Sequence, residues 1–205
     1  MASVRERAKL ASAAERLNRR AAVHLPPLFL VTDDVRVPDP VAVAKTLPQG
    51  SGIILRHRDA QKRSVLAEAL ATLVPERALF LLVAGDEELA RAVGADGVHF
   101  AEAEMGAVAA CRWHHPLWCI TVAAHSGPAL RLAAQAGADA AFFAPLFPTR
   151  SHPEKSGFGL TRFRFLAARS PLPVYALGGV TAQNAARLDG AHIAGIAAIE
   201  GLMPG

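Results

Sequence analysis

Short apolar runs punctuate most of this chain. LFLVT at 28–32, GIILR at 52–56, ALFLLV at 78–83, GVHF at 97–100, LWCITVA at 117–123, AAFFA at 140–144 and GIAAI at 195–199 are bounded by Gly, Pro or charged residues. Runs of that length read as buried strands. An eighth, PVYAL from Pro173, leads into Gly178-Gly179 and then a helix start at Thr181. Helical spacing lies between and before them. Over 5–21, Leu10, Ala14, Leu17 and Ala21 share one face with charges opposite, and Pro26-Pro27 stop the helix. Asp39-Pro40 opens a short helix that ends before Pro48, and a longer one runs over 60–73 to a stop near Pro75.

Composition narrows the class. A chain of 205 residues, 52% hydrophobic, suffices for one substantial core. No apolar run approaches the ~18 residues of a membrane span. The charged N-terminus, MASVRERAKLASAAERLNRR, lacks the apolar centre of a signal peptide, so the expected location is the cytoplasm. Cys111 and Cys119 form neither a disulfide framework nor a metal motif. The net charge is +4, with no recognition motif and only 6% aromatics, which argues against a nucleic-acid partner.

Two stretches carry candidate chemistry. The first is GADAAFFAPLFPTRSHPEKSGFG at 137–159, a strand and then a long loop bearing Arg150, His152 and Lys155. Long ordered loops are often lids or binding loops. The second is PVYALGGVT, where paired glycines let backbone N–H groups approach an anion. Taken singly, each also reads as a plain loop or tight turn.

Together these stretches resemble the sixth and seventh strands of the thiamine phosphate synthase family, which includes the TenI-type thiazole tautomerases. FLVTDD at 29–34 and GADGVHF at 94–100 resemble its first and fourth strands. The resemblance spans about 28–202. It implies an α/β fold, a single (β/α)8 TIM barrel over 1–205, with its ligand at the C-terminal strand ends. The barrel proper is 28–202 and residues 1–22 are an extra N-terminal helix. Only about a turn, 201–203, follows strand eight, where the family adds a helix. The helix at 5–21 is therefore expected to pack near strands one and eight. The rival arrangement packs it on a second subunit, as a homodimer contact.

The resemblance also implies site residues. After strand two, the family's Gln-x-Arg-x-Lys becomes Ile54, Arg56 and Arg58, so Arg56 and Arg58 are candidates for phosphate. A solvated basic edge is the rival reading for His57 and Arg58. The synthases' Asn-Asp after strand three becomes Ala84-Gly85, which offers no oxygen ligand for magnesium. Asp86, one position on, reads as a helix cap. Glu104 aligns with the other metal-binding carboxylate and is the only weak metal candidate. Glu102 and Glu104 also suit the first turn of a helix. VAAHS at 122–126 keeps the family histidine, His125, which in the tautomerases is the proposed proton shuttle. Thr149, Ser151, Gly178 and Gly179 complete the phosphate set, while the family's serine after strand eight is Glu200.

The expected ligand is a small phosphorylated heterocycle, thiazole phosphate or thiamine phosphate. Magnesium is expected only where synthase chemistry is retained. A TenI-like tautomerase using His125 and a non-catalytic binding barrel are the alternatives.

Overall fold

The computed structural model describes residues 2–149, 157–189 and 193–204. Eight parallel strands close in sequence order into a barrel: β1 Leu28–Val31, β2 Gly52–Leu55, β3 Phe80–Ala84, β4 Gly97–Phe100, β5 Cys119–Ala124, β6 Ala140–Phe143, β7 Val174–Ala176 and β8 Gly195–Ala198. Closure is by β1 on β8, with Leu28 opposite Ile196 and Leu30 opposite Ala198. Among the described residues, seven α-helices surround the strands: α1 Val4–Ala21, α2 Pro40–Ala44, α3 Ala60–Arg77, α4 Glu87–Ala92, α5 Val108–His114, α6 Gly127–Ala136 and α7 Leu160–Ala167. None is long and apolar enough to cross a membrane.

Every residue of β1, β2, β4, β6, β7 and β8 is buried, because one strand face meets the helices and the other fills the barrel. Inside, Phe29 meets Phe142 and Tyr175 edge to face, each at 5.1 Å between ring centroids. Small residues make room for these rings. A Cβ on Gly52 would stand 2.1 Å from the Phe29 ring, and one on Gly195 2.0 Å from the Pro27 carbonyl. The Tyr175 hydroxyl donates to Pro26 O at 2.7 Å. Pro26, Gly52 and Gly195 all belong to strand N-terminal ends, so this plug is the barrel floor and the open end is the C-terminal one.

The helix at the N-terminus begins with a reciprocal cap. Glu6 N–H donates to Ser3 Oγ at 3.2 Å, and Ser3 N–H donates to Glu6 Oε2 at 2.8 Å. Leu10, Ala14 and Leu17 are fully buried, and α1 lies against β8 and β1 of its own barrel, as its apolar face predicts. Asn18 fastens its C-terminal half, donating to Ala194 O at 2.8 Å and Leu25 O at 3.0 Å. After β8 comes the 3-10 segment Glu200–Leu202.

Two sequence expectations fail. Pro75 does not stop α3, which continues to Arg77. Ala78 then turns left-handed (φ 49°), and Leu79 N–H closes the end on Val74 O. No α-helix starts at Thr181. The Asn184 side chain captures the turn instead, and only the 3-10 segment Ala185–Leu188 follows.

Candidate functional site

The open end of the barrel holds a cavity of about 890 Å³. The strand ends set its walls: 33–36 after β1, 56–58 after β2, His125 after β5, Ala144, Pro145, Pro148 and Thr149 after β6, 177–181 after β7 and 197–201 from β8 onward. Arg56, Arg58, His125, Thr149, Gly178 and Gly179 all line it, as does Glu200. Ser151, with Arg150, His152 and Lys155, lies outside the described residues.

On the β1–β2 side, buried Thr32 joins the two strand ends. Its hydroxyl accepts from Arg56 N–H at 2.8 Å and donates to Arg56 O at 2.9 Å. Asp33 then receives two guanidinium groups, from Arg36 at 2.8 Å and Arg56 at 3.2 Å. The Arg36 hydrogen bond, helped by backbone N–H groups of Arg36 and Val35, holds the Asp33 carboxyl well below the usual carboxylate range. The same contact with Asp33 raises the Arg36 guanidinium further, and the Glu200 charge adds to it. Asp34 accepts from Arg58 N–H at 3.2 Å, while the Arg58 side chain is 98% exposed. The Arg56 side chain is also more than half exposed but is paired to Asp33, and both arginines line the cavity. Arg36 was not singled out from the sequence; its place three residues after Asp33 in a strand-end turn was the available signal.

The β7 side is shaped by close approach. Gly178 (φ 94°) and Gly179 (φ 66°) adopt left-handed conformations, and a Cβ on either would meet the β6 loop, at 2.9 Å from Pro145 Cα or 2.6 Å from Pro148 O. Leu146 and Phe147 N–H groups donate to Leu177 O and Gly178 O, which seats that loop on the turn. The glycines therefore serve packing first. Among the described residues, the amide N–H groups of Gly178, Gly179 and Val180 have no hydrogen-bond partner, and all three residues face the cavity. Amides of that kind are donors open to a ligand. The missing helix behind Thr181 means that no helix dipole adds to them.

His125 follows β5 and precedes α6, whose cap is Ser126. Its backbone N–H donates to Glu102 Oε2 at 2.6 Å, and its Nδ1 lies 2.7 Å from Ala144 O. A carbonyl only accepts, so Nδ1 carries the hydrogen and a neutral ring keeps its lone pair on Nε2. Glu102 was read only as a first-turn residue; it also anchors the histidine.

The two positions that the resemblance aligns with metal-binding residues can be compared in space. Glu104 Oε1 stands 3.0 Å from where a Cβ on Gly85 would be, so the two aligned positions are neighbours. The residues present do not fit the ion. Only one of the two positions bears a carboxylate, and its Oε2 already accepts from Ala101 N–H at 2.8 Å as a helix-capping contact. Neither residue lines the cavity. Asp86 caps α4 through Leu89 N–H and pairs with Arg63 at 2.7 Å. Among the described residues, no group of three or more His, Cys, Asp or Glu is arranged to hold a metal.

Fold and site together define a (β/α)8 barrel with a cavity of mixed polar and apolar lining at its C-terminal end. The chain belongs to the thiamine monophosphate synthase family, whose sequence profile matches residues 28–202. It is 32% identical over 164 residues to a putative thiamine-phosphate synthase 2 of Aquifex aeolicus, covering 78% of this chain and 88% of that one. It is also 32% identical over 182 residues to a thiamine-phosphate synthase of Chlorobium luteolum, covering 86% and 84%. The thiamine phosphate pyrophosphorylase structure from Pyrococcus furiosus superposes with a TM-score of 0.71 at 25% identity, covering 84% of each chain.

Proposed function

We propose that this barrel binds a small phosphorylated heterocycle of the thiazole phosphate type and moves a proton on it with His125. The observation that carries the reading is one cavity lined both by the amides of 178–180 and by His125, whose Nδ1–H is committed to Ala144 O. The ligand phosphate sits on those amides with Thr149 beside it. The ring extends toward His125 Nε2, which breaks a C–H bond by taking the proton and returns it to a second ring atom. That isomerisation is redox-neutral and needs no metal. It suits a chain whose Gly85 and Glu104 hold one carboxylate between them.

Titration calorimetry with thiazole phosphate, with and without magnesium, tests the binding, and NMR of the ligand in deuterated water tests the proton transfer. We expect magnesium-independent binding, and no micromolar magnesium site in the free protein. In His125→Asn, isomerisation should fall by about 10²–10⁴ while affinity changes little. Magnesium-dependent binding of a pyrimidine pyrophosphate would restore the synthase reading. No binding of either compound would leave a barrel without this chemistry.

A further inference from the structure

In a regular strand–helix unit, the helix after a strand holds the preceding turn in place and turns its positive end toward a bound anion. The turn after β7 lacks that support, because Ala185–Leu188 is a single 3-10 turn. The turn closes on itself through Asn184, whose Oδ1 accepts from Thr181 N–H and whose Nδ2 donates to Gly179 O, both at 2.8 Å. From outside, the unit is held by the β6 loop, by Arg164 of α7, which donates to Arg187 O at 2.7 Å and to Asp189 O at 2.9 Å, and by α1. Gln183 Nε2 donates to Glu6 Oε1 at 2.6 Å. The other Glu6 oxygen is fixed by the Ser3 amide and hydroxyl, at 2.8 and 3.0 Å, so the acceptor is rigidly part of the helix cap. One helical turn later α1 touches the cavity wall itself. Leu10 Cδ2 is 3.5 Å, and Val180 O 3.3 Å, from the point that a Cβ on Gly201 would occupy. Gly201 is thus packed between α1 and the turn, and it lines the cavity.

We infer that α1 is a positioning element of the 178–181 turn alongside the β6 loop, with Gln183 as its tether residue, so that docking of this helix tunes how tightly the cavity holds a phosphate. The inference rests on the anion role given above to the 178–180 amides. Gln183 is exposed and, among the described residues, its side chain hydrogen-bonds only to Glu6, so Gln183→Ala removes the tether without opening a cavity in the core.

Amide hydrogen exchange at 178–181, calorimetric titration with thiazole phosphate and the melting temperature are measured for the wild type, Gln183→Ala, and the exchanged pair Glu6→Gln with Gln183→Glu. Gln183→Ala should exchange these amides roughly three- to tenfold faster and bind the phosphate weaker by a similar factor. Its melting temperature should fall by no more than about 5 °C. The exchanged pair recreates the hydrogen bond with donor and acceptor reversed, and should recover both values. Unchanged amide exchange in Gln183→Ala overturns the tether. Faster exchange with unchanged affinity overturns its role in binding. A wild type that binds no thiazole phosphate removes the functional reading instead, and the exchange data still decide whether α1 holds the turn.

Discussion

His99, on β4, is packed inside the barrel with its Nδ1 2.9 Å from Thr121 Oγ1 and its ring 5.2 Å from that of Phe142. Burial, with a smaller contribution from the Arg56 charge, pulls its pKa from 6.5 down to about 3. An unfolded chain therefore takes up the proton at a higher pH than the folded one. Stability from a neutral His99 is complete above about pH 6.5 and is lost on acidification toward pH 3, with a slope of at most about 1.4 kcal/mol per unit. Urea unfolding of wild type and His99→Asn between pH 7 and 4.5 should show the variant with the flatter profile; parallel profiles would mean that His99 charges freely in the native barrel. Glu200 poses the opposite question, since it lines the cavity and its field acts on Arg36. Replacing it by serine removes one anion from the cavity rim and leaves the guanidinium. Glu200→Ser should tighten thiazole phosphate by about tenfold, less than an unrelieved carboxylate at contact distance would imply. Weaker binding in a calorimetric titration would mean that Glu200 meets a cationic part of the ligand.

At the scale of elements, α1 and the β7 turn make the sharpest claims. Leu10→Ala empties a fully buried position between α1, β8 and the 200–202 segment, and should cost about 2–5 kcal/mol in denaturant unfolding. Gly179→Ala sets a Cβ against Pro148 O and forces a left-handed alanine, so the β6 loop must shift and phosphate affinity should drop without a comparable loss in the barrel core. A variant with wild-type affinity would show that the loop accommodates the methyl group. The eight strands and α1 were legible because burial on both faces leaves dense apolar runs, and burial on one face leaves helical spacing. Segment ends were less legible. Pro75 is tolerated because the last turn of α3 closes through Ala78 and Leu79. Thr181 fails to start a helix because the Asn184 side chain spends its hydrogen bonds on the turn. Both outcomes depend on geometry three or more residues away.

Over the whole molecule, family motifs located the cavity more surely than they described it. They marked Arg56, His125, Thr149 and the glycine pair, all of which line it. They gave no sign that Asp33 would also hold Arg56, or that Glu102 would fix the His125 backbone, because each of those contacts joins turns 23 residues apart. The closed floor of the barrel has a consequence for optical work. Tyr175 is the sole tyrosine of the chain, fully buried, with its hydroxyl bound to Pro26 O. Burial raises its ionisation well above the usual 10 of a phenol. In an alkaline spectrophotometric titration the tyrosinate band should therefore stay silent through pH 10–11 and appear only as the barrel opens. One absorbance near 295 nm then reports barrel integrity with no label attached.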